Sequence, residues 1–206
     1  MPPLKIFHRS APLLLPFIYS YLLIFTQLSA ATEFEIMPIV GYTFSPKLDS
    51  GNSATTLATT DEPNFGLAFS WQDTPSGQGQ ILVNYISRDF TDKISQSTHS
   101  FDTVYAHFNG VALFKEKGYT TTVGLGLGAT YFDSDFDEVI YPSLTASVGT
   151  RYEFSDNLAF ITELRVYATL IKDDETLFCE NDNCLAHFDG ALWFDSQISI
   201  GLAYSF

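Results

Sequence analysis

Positive charge is scarce in this 206-residue chain: ten Lys and Arg stand against 24 Asp and Glu, for a formal net charge of −14. A surface this acidic repels a phosphate backbone, so nucleic acid is excluded as a partner. Cysteine is nearly absent, with two residues, and a thiolate metal centre would want further Cys or His at ligand spacing. Thirteen Gly and nine Pro are too few for a collagen-like repeat. After residue 31 no apolar run reaches the length of a membrane-crossing helix, which excludes a helical membrane protein for the remainder. What the chain does have is apolar and aromatic bulk. Nineteen Phe and eleven Tyr in a composition 46% hydrophobic are incompatible with an acidic disordered chain. One domain is the expectation at this length.

The N-terminus stands apart from the rest. Lys5, His8 and Arg9 form a basic start, 13–28 is an apolar run, and Ser29-Ala30-Ala31 supplies small residues before the acidic Thr32-Glu33-Phe34-Glu35. This is the layout of a secretory signal peptide over 1–31, cleaved after Ala31. The alternative is an uncleaved anchor, since the run is nearly long enough to span a bilayer; Pro12, Pro16 and the small residues at its end speak against it. Removing 1–31 takes the net charge of 32–206 to −16.

Residues 32–206 alternate. From Phe34 one parity carries Phe34, Ile36, Pro38, Val40, Tyr42 and Phe44, and the other Glu35, Met37, Ile39, Gly41 and Thr43. That is a period of two over eleven residues, the length a tilted strand needs to cross a bilayer. The pattern recurs over 65–72, 80–88, 103–114, 119–131, 140–154, 158–170 and 192–206, giving eight strands. Short turns at 74–77, 115–118 and 155–157 alternate with longer polar loops at about 46–63, 90–98, 133–138 and 172–188. An up-and-down meander then collects the turns at one end and the loops at the other, with both termini at the turn end. The expected fold class is all-β, an eight-stranded antiparallel up-and-down transmembrane β-barrel over 32–206.

Period two does not say which face is inside, and a secreted lipocalin-like barrel of eight strands buries its apolar face inward. Three features favour the inside-out arrangement. The bulky parity is nearly free of charge, as a lipid-facing wall must be. Aromatics such as Tyr42, Phe44, Tyr119, Tyr131, Tyr152, Phe154, Tyr204 and Phe206 sit near the ends of the apolar faces, as interfacial girdles do. The opposite parity carries Gly, Ser and Thr together with Glu35, Arg88, Arg151, Glu153, Glu163, Arg165 and Asp195, a mixture of signs that can neutralise itself in a narrow lumen. His107 points the same way beside Asn109 and joins that polar network.

The last strand, with Ile198, Ile200, Leu202, Tyr204 and a terminal Phe206, resembles the C-terminal signature of Gram-negative outer-membrane barrels. The layout of 32–206 is similar to the small OmpA-like and OmpX-like barrels. The resemblance implies residence in the cell outer membrane, with extracellular loops and periplasmic termini. It implies recognition of Tyr204 and Phe206 by the assembly machinery, and contact with outer-membrane lipids and lipopolysaccharide. It implies no single activity, because that superfamily includes passive scaffolds, adhesins, small-solute pores and lipid-modifying enzymes.

The chemistry-bearing residues are few. Cys179 and Cys184 enclose four residues in the last loop, and in an oxidising compartment a disulfide is the leading reading. A loop that short gains only about 2 kcal/mol on the chain-entropy model. His187 is the one nearby His, so no metal is expected there. Thirteen acids in the long loops face Lys47, Lys93 and Lys172. Of these, Asp133, Asp135, Asp137 and Glu138 resemble the start of a calcium loop, but Glu138 stands where glycine is needed and Leu144 where the closing carboxylate is needed. A solvated acidic loop is the reading.

For an enzyme, His99, His107 and His187 are the candidates, and His99 and Ser100, being adjacent, cannot share a strand face. No catalytic residue and no cofactor is expected. Eight strands enclose a lumen that side chains fill, with Tyr105, Tyr167 and Trp193 available to pack against the wall thinned by Gly124, Gly126 and Gly128. The expected protein is a non-enzymatic barrel with a plugged polar lumen and acidic loops, 46–63 and 172–188 forming the contact surface for a ligand the sequence leaves unnamed. A narrow solute channel is the alternative, and a lipid A-modifying enzyme or a lipocalin-like binder is more remote. Protein isolated from the envelope should begin at Thr32, or one residue earlier at Ala31, on N-terminal sequencing; a chain still carrying 13–28 would mean an anchor.

Overall fold

The computed structural model describes residues 33–45, 58–59, 61–91, 98–134, 138–171, 176–180, 183–187 and 192–206. The expected leader and much of the acidic loop sequence, including Lys47, Lys93, Asp135, Asp137 and Lys172, lie outside the described residues. Eight long strands follow from the alternation: β1 Phe34–Phe44, β2 Glu62–Thr74, β3 Gly77–Thr91, β4 Thr98–Lys115, β5 Thr120–Ser134, β6 Glu138–Ser155, β7 Leu158–Leu170 and β8 Leu192–Ser205. Each pairs antiparallel with the next, and β1 closes the ring on β8, from Glu35 opposite Ser205 to Phe44 opposite Ser196. Closure leaves no sheet edge, the condition for strands to lie in hydrocarbon.

Strands run further than the apolar parity alone suggests. The ladder continues past the last apolar residues because the backbone pairs whatever the side chain, so Asp102 lies opposite Asp133, and Asp133 opposite Glu138. The loop expected at 46–63 contains a two-residue strand, Ala58–Thr59, paired to the end of β3. The loop at 172–188 contains a hairpin, Thr176–Glu180 against Asn183–His187. Between β6 and β7 pairing begins only at Ser143 opposite Thr169, next to Pro142, which has no N–H to give. The short turns fall where expected, and Gly118 takes a φ of 95°, a left-handed conformation that suits glycine.

Burial decides the question that period two left open. Along β1 the even positions from Phe34 to Phe44 are exposed and the odd ones buried except half-buried Gly41; β8 alternates without a break. The outward set includes Phe65, Leu67, Ile81, Phe108, Leu125, Leu127, Leu144, Leu164, Ile198 and Ile200. A continuous wall of exposed Phe, Leu and Ile is what a lipid-facing barrel requires and a water-soluble lipocalin-like barrel forbids. Aromatics gather at the turn end of this wall, where Phe34 stacks on Phe69 at 5.7 Å and on Phe206 at 6.3 Å. Among the described residues no helix is long and apolar enough to cross a membrane; the crossing elements are strands.

Leu127 stands at the middle of β5, 66% exposed. Leu127→Arg should destabilise the folded barrel by about 2–4 kcal/mol in lipid vesicles, read from urea unfolding, because it puts a charge at mid-wall. A change near zero would mean that this face meets water.

Candidate functional site

The inward parity converges on one carboxylate. Asp195 sits on β8 between Trp193 and Gln197, all three facing the lumen. Its Oδ2 accepts from Arg88 Nη2 at 2.8 Å, from Trp193 Nε1 at 2.8 Å and from the Tyr105 hydroxyl. Its Oδ1 accepts from Ser45 Oγ at 2.8 Å. These donors come from β3, β8, β4 and the residue after β1, so the knot ties the barrel across its diameter near the loop end. Both charged side chains are 0% exposed. The Arg88 guanidinium is also held 5.9 Å from the ring centres of Phe101 and of Trp193. Phe132 joins this cluster, 6.2 Å from both Tyr141 and Trp193 and 6.4 Å from Phe101, and forms an aromatic layer in the lumen.

Toward mid-lumen, Tyr105 stacks on Tyr167 with centroids 4.0 Å apart, and His107 packs 5.4 Å from Tyr167. His107 Nε2 shares a 2.9 Å hydrogen bond with Ser143 Oγ. Arg165 clamps Glu163 with Nε and Nη2, each at 2.8 Å, and reaches Thr145 Oγ1 at 3.3 Å. A chain of amides crosses the opposite wall, Asn64 donating to Asn84 and Asn84 to Gln197, both at 2.9 Å. Below lies an apolar layer, Met37, Ile39, Ala68, Leu82, Ala159, Ile161 and Ala203. At the turn end Arg151 binds Glu35 at 2.6 Å, and Ser205 donates to Glu35 at 3.3 Å. A polar vestibule of about 260 Å³ opens beside them.

Seven of the eight residues expected in the polar network, Glu35, Arg88, His107, Arg151, Glu163, Arg165 and Asp195, are buried or nearly so. Six of them form three separate Arg–acid pairs at different heights along the axis, and His107 bonds Ser143 instead. Glu153 differs. Its side chain is 64% exposed and lies 3.5 Å from Arg151, next to a register shift between Glu153 and Ser155 at the rim. The glycine row of β5 admits neighbours other than the expected aromatics. A Cβ on Gly126 would strike the Asn109 side chain, and one on Gly128 the Ala106 carbonyl. Tyr105 and Trp193 instead serve Asp195. That role and the parts played by Ser45, Asn64, Asn84 and Gln197 went unread in the sequence.

The catalytic candidates are not assembled. His107 and Ser143 are sealed in the lumen, and no carboxylate contacts either of them among the described residues. His99 lies opposite Phe90 at the end of β4. Among the described residues no group of three His, Cys, Asp or Glu could hold a metal ion. Cys179 and Cys184 lie directly opposite each other in the hairpin register. Tyr204 and Phe206 face outward at the end of β8, rings 6.4 Å apart.

No protein-family description matches the chain, and no curated protein does. Solved structures do match in fold. The outer membrane protein OprG from Pseudomonas aeruginosa aligns over 85% of this chain and 96% of its own, at 12% identity and a TM-score of 0.59. Neisserial surface protein A aligns over 84% and 97%, at 11% identity and a TM-score of 0.55. The chain has the fold of the small eight-stranded outer-membrane barrels.

Asp195→Asn should cost about 3–5 kcal/mol in urea unfolding, because it strands the buried Arg88 charge. Adding Arg88→Gln should return most of that loss. If both single variants unfold like the parent, the knot contributes nothing.

Proposed function

We propose that the chain is a non-enzymatic outer-membrane barrel of the structural or interaction class, closed along its lumen and acting through its loops. The observation that carries this reading is the cross-lumen knot on Asp195, with the apolar layer from Met37 to Ala203 below it. A hydrated ion would have to displace the buried Arg88–Asp195 pair, leaving each charge without its partner in a site shut off from water. The paired register of Cys179 and Cys184 supports the disulfide, since residues opposite each other in an antiparallel pair have the Cα spacing that a disulfide spans. It would staple the hairpin that presents the last loop.

The loop end carries the acid. Ser87, Asp102, Asp133 and Glu138 form one register row across four strands, on the outward parity. Like charges side by side are unfavourable, and cations or a basic partner would relieve them. In this reading 1–31 is removed on export, both termini and the short turns face the periplasm, and the loops face outward among lipopolysaccharide. Tyr204 and Phe206 present the signal that the assembly machinery reads.

Reconstituted in planar bilayers, the purified protein should give no reproducible conductance steps. Steps that disappear when Arg151 and Arg165 are replaced would overturn the closed reading in favour of a narrow channel. Envelope fractionation should place the chain in the outer membrane with heat-modifiable gel migration; a soluble periplasmic product would remove the membrane reading.

A further inference from the structure

Near the turn end the outward wall carries a patch of small residues. There Gly79 of β3 lies opposite Gly110 of β4, and Gly77 opposite Ala112, so four adjacent outward positions carry at most a methyl group. Around them stand Trp71, Phe108, Val123 and Leu125, the same register rows continued on β2 and β5 or one step up the wall. The result is a groove of about 580 Å³ let into the lipid-facing surface. Its floor is backbone: a Cβ at Gly110 would meet nothing within 4 Å, whereas one at Gly79 would strike the Trp71 ring, which lies across it. Trp71 in turn sits 5.6 Å from Phe108.

The groove is not uniformly apolar. Its turn end is bordered by Asp73 and Ser76, and Asp73 is exposed with no cation partner among the described residues. An apolar channel that opens on a lone carboxylate at the membrane boundary has the polarity of a lipid turned on its side, tail along the strands and head at the turn. The carboxylate sets the sign of that head. An anionic headgroup would be repelled, whereas a primary ammonium can both neutralise Asp73 and donate hydrogen bonds to it.

We propose that this groove seats one glycerophospholipid with an amine headgroup from the leaflet at the turn end. Its acyl chain lies over Gly110, between the Trp71 ring and Leu125, and its ammonium meets Asp73. The seat is separate from the lumen and from the loops, so it stands or falls independently of the closed-barrel reading.

The test uses the full barrel in nanodiscs made of equal parts phosphatidylethanolamine and phosphatidylglycerol, released into native mass spectrometry. One retained lipid per chain is expected, phosphatidylethanolamine exceeding phosphatidylglycerol about fivefold. Gly110→Leu grows into open space, so it should fold, with heat-modifiable migration as the check, and lose the retained lipid. Asp73→Asn should keep a lipid but bring the ratio to about one. Overturning results are no stoichiometric lipid on the parent, unchanged retention in folded Gly110→Leu, an unchanged ratio in Asp73→Asn, or a second copy of the chain in place of lipid.

Discussion

A strand in hydrocarbon must pair every backbone polar group and hide every polar side chain, and in a barrel this narrow the side chains have only the lumen to go to. That constraint organises the molecule. It forces β1 onto β8, because an open edge would leave N–H and C=O groups facing lipid. It also turns the inward polar residues toward one another, as in the Arg–acid pairs and the Asn64–Asn84–Gln197 chain. Asp195 is the sharpest consequence: a carboxylate removed from water whose two oxygens take four donors from different parts of the ring.

The lumen is layered rather than simply polar. Arg88 with Asp195, Arg165 with Glu163 and Arg151 with Glu35 each balance one charge with its opposite, so no layer carries surplus charge from these pairs. Apolar groups separate them, with Ile86, Tyr105 and Tyr167 above and the Met37 to Ala203 cluster below. The Arg88–Asp195 pair is the one removed furthest from water, where an unpaired partner is most expensive. The glycines of β5 belong to this packing. At Gly126 and Gly128 the absent side chains let β4 bring Asn109 and His107 close to the wall, which a residue with a Cβ would prevent.

How much of this could be read from the sequence follows from what each residue answers to. The outward face answers to a uniform solvent, so a local rule of alternate bulky residues suffices, and all eight strands and their parity were legible, down to Leu82 and Asn84 facing inward on β3. The lumen residues answer to particular partners far away in the chain. Arg88 and Asp195 are 107 positions apart on strands that are not neighbours in the sheet, and their meeting depends on register that alternation does not encode. Arg165 and Glu163, two positions apart on one strand, were a pair that spacing could have suggested. Glu153 had the correct parity but the wrong height, since the bulge beside it leaves no mark on the pattern. Ser45, beyond the last apolar residue of β1, offered no signal for its bond to Asp195.

The claim that an apolar face looks outward onto lipid while a packed polar face looks inward is tested most directly along β8. Spin labels placed one at a time at residues 197 to 202, with both cysteines replaced by serine, would report collision with oxygen and with a water-soluble nickel chelate in vesicles. The account predicts that positions 198, 200 and 202 are open to oxygen and closed to nickel, and that 197, 199 and 201 are closed to both. Nickel reaching 197, 199 and 201 would mean an open aqueous lumen, and nickel reaching 198, 200 and 202 would mean that the wall does not face lipid; either result contradicts the account.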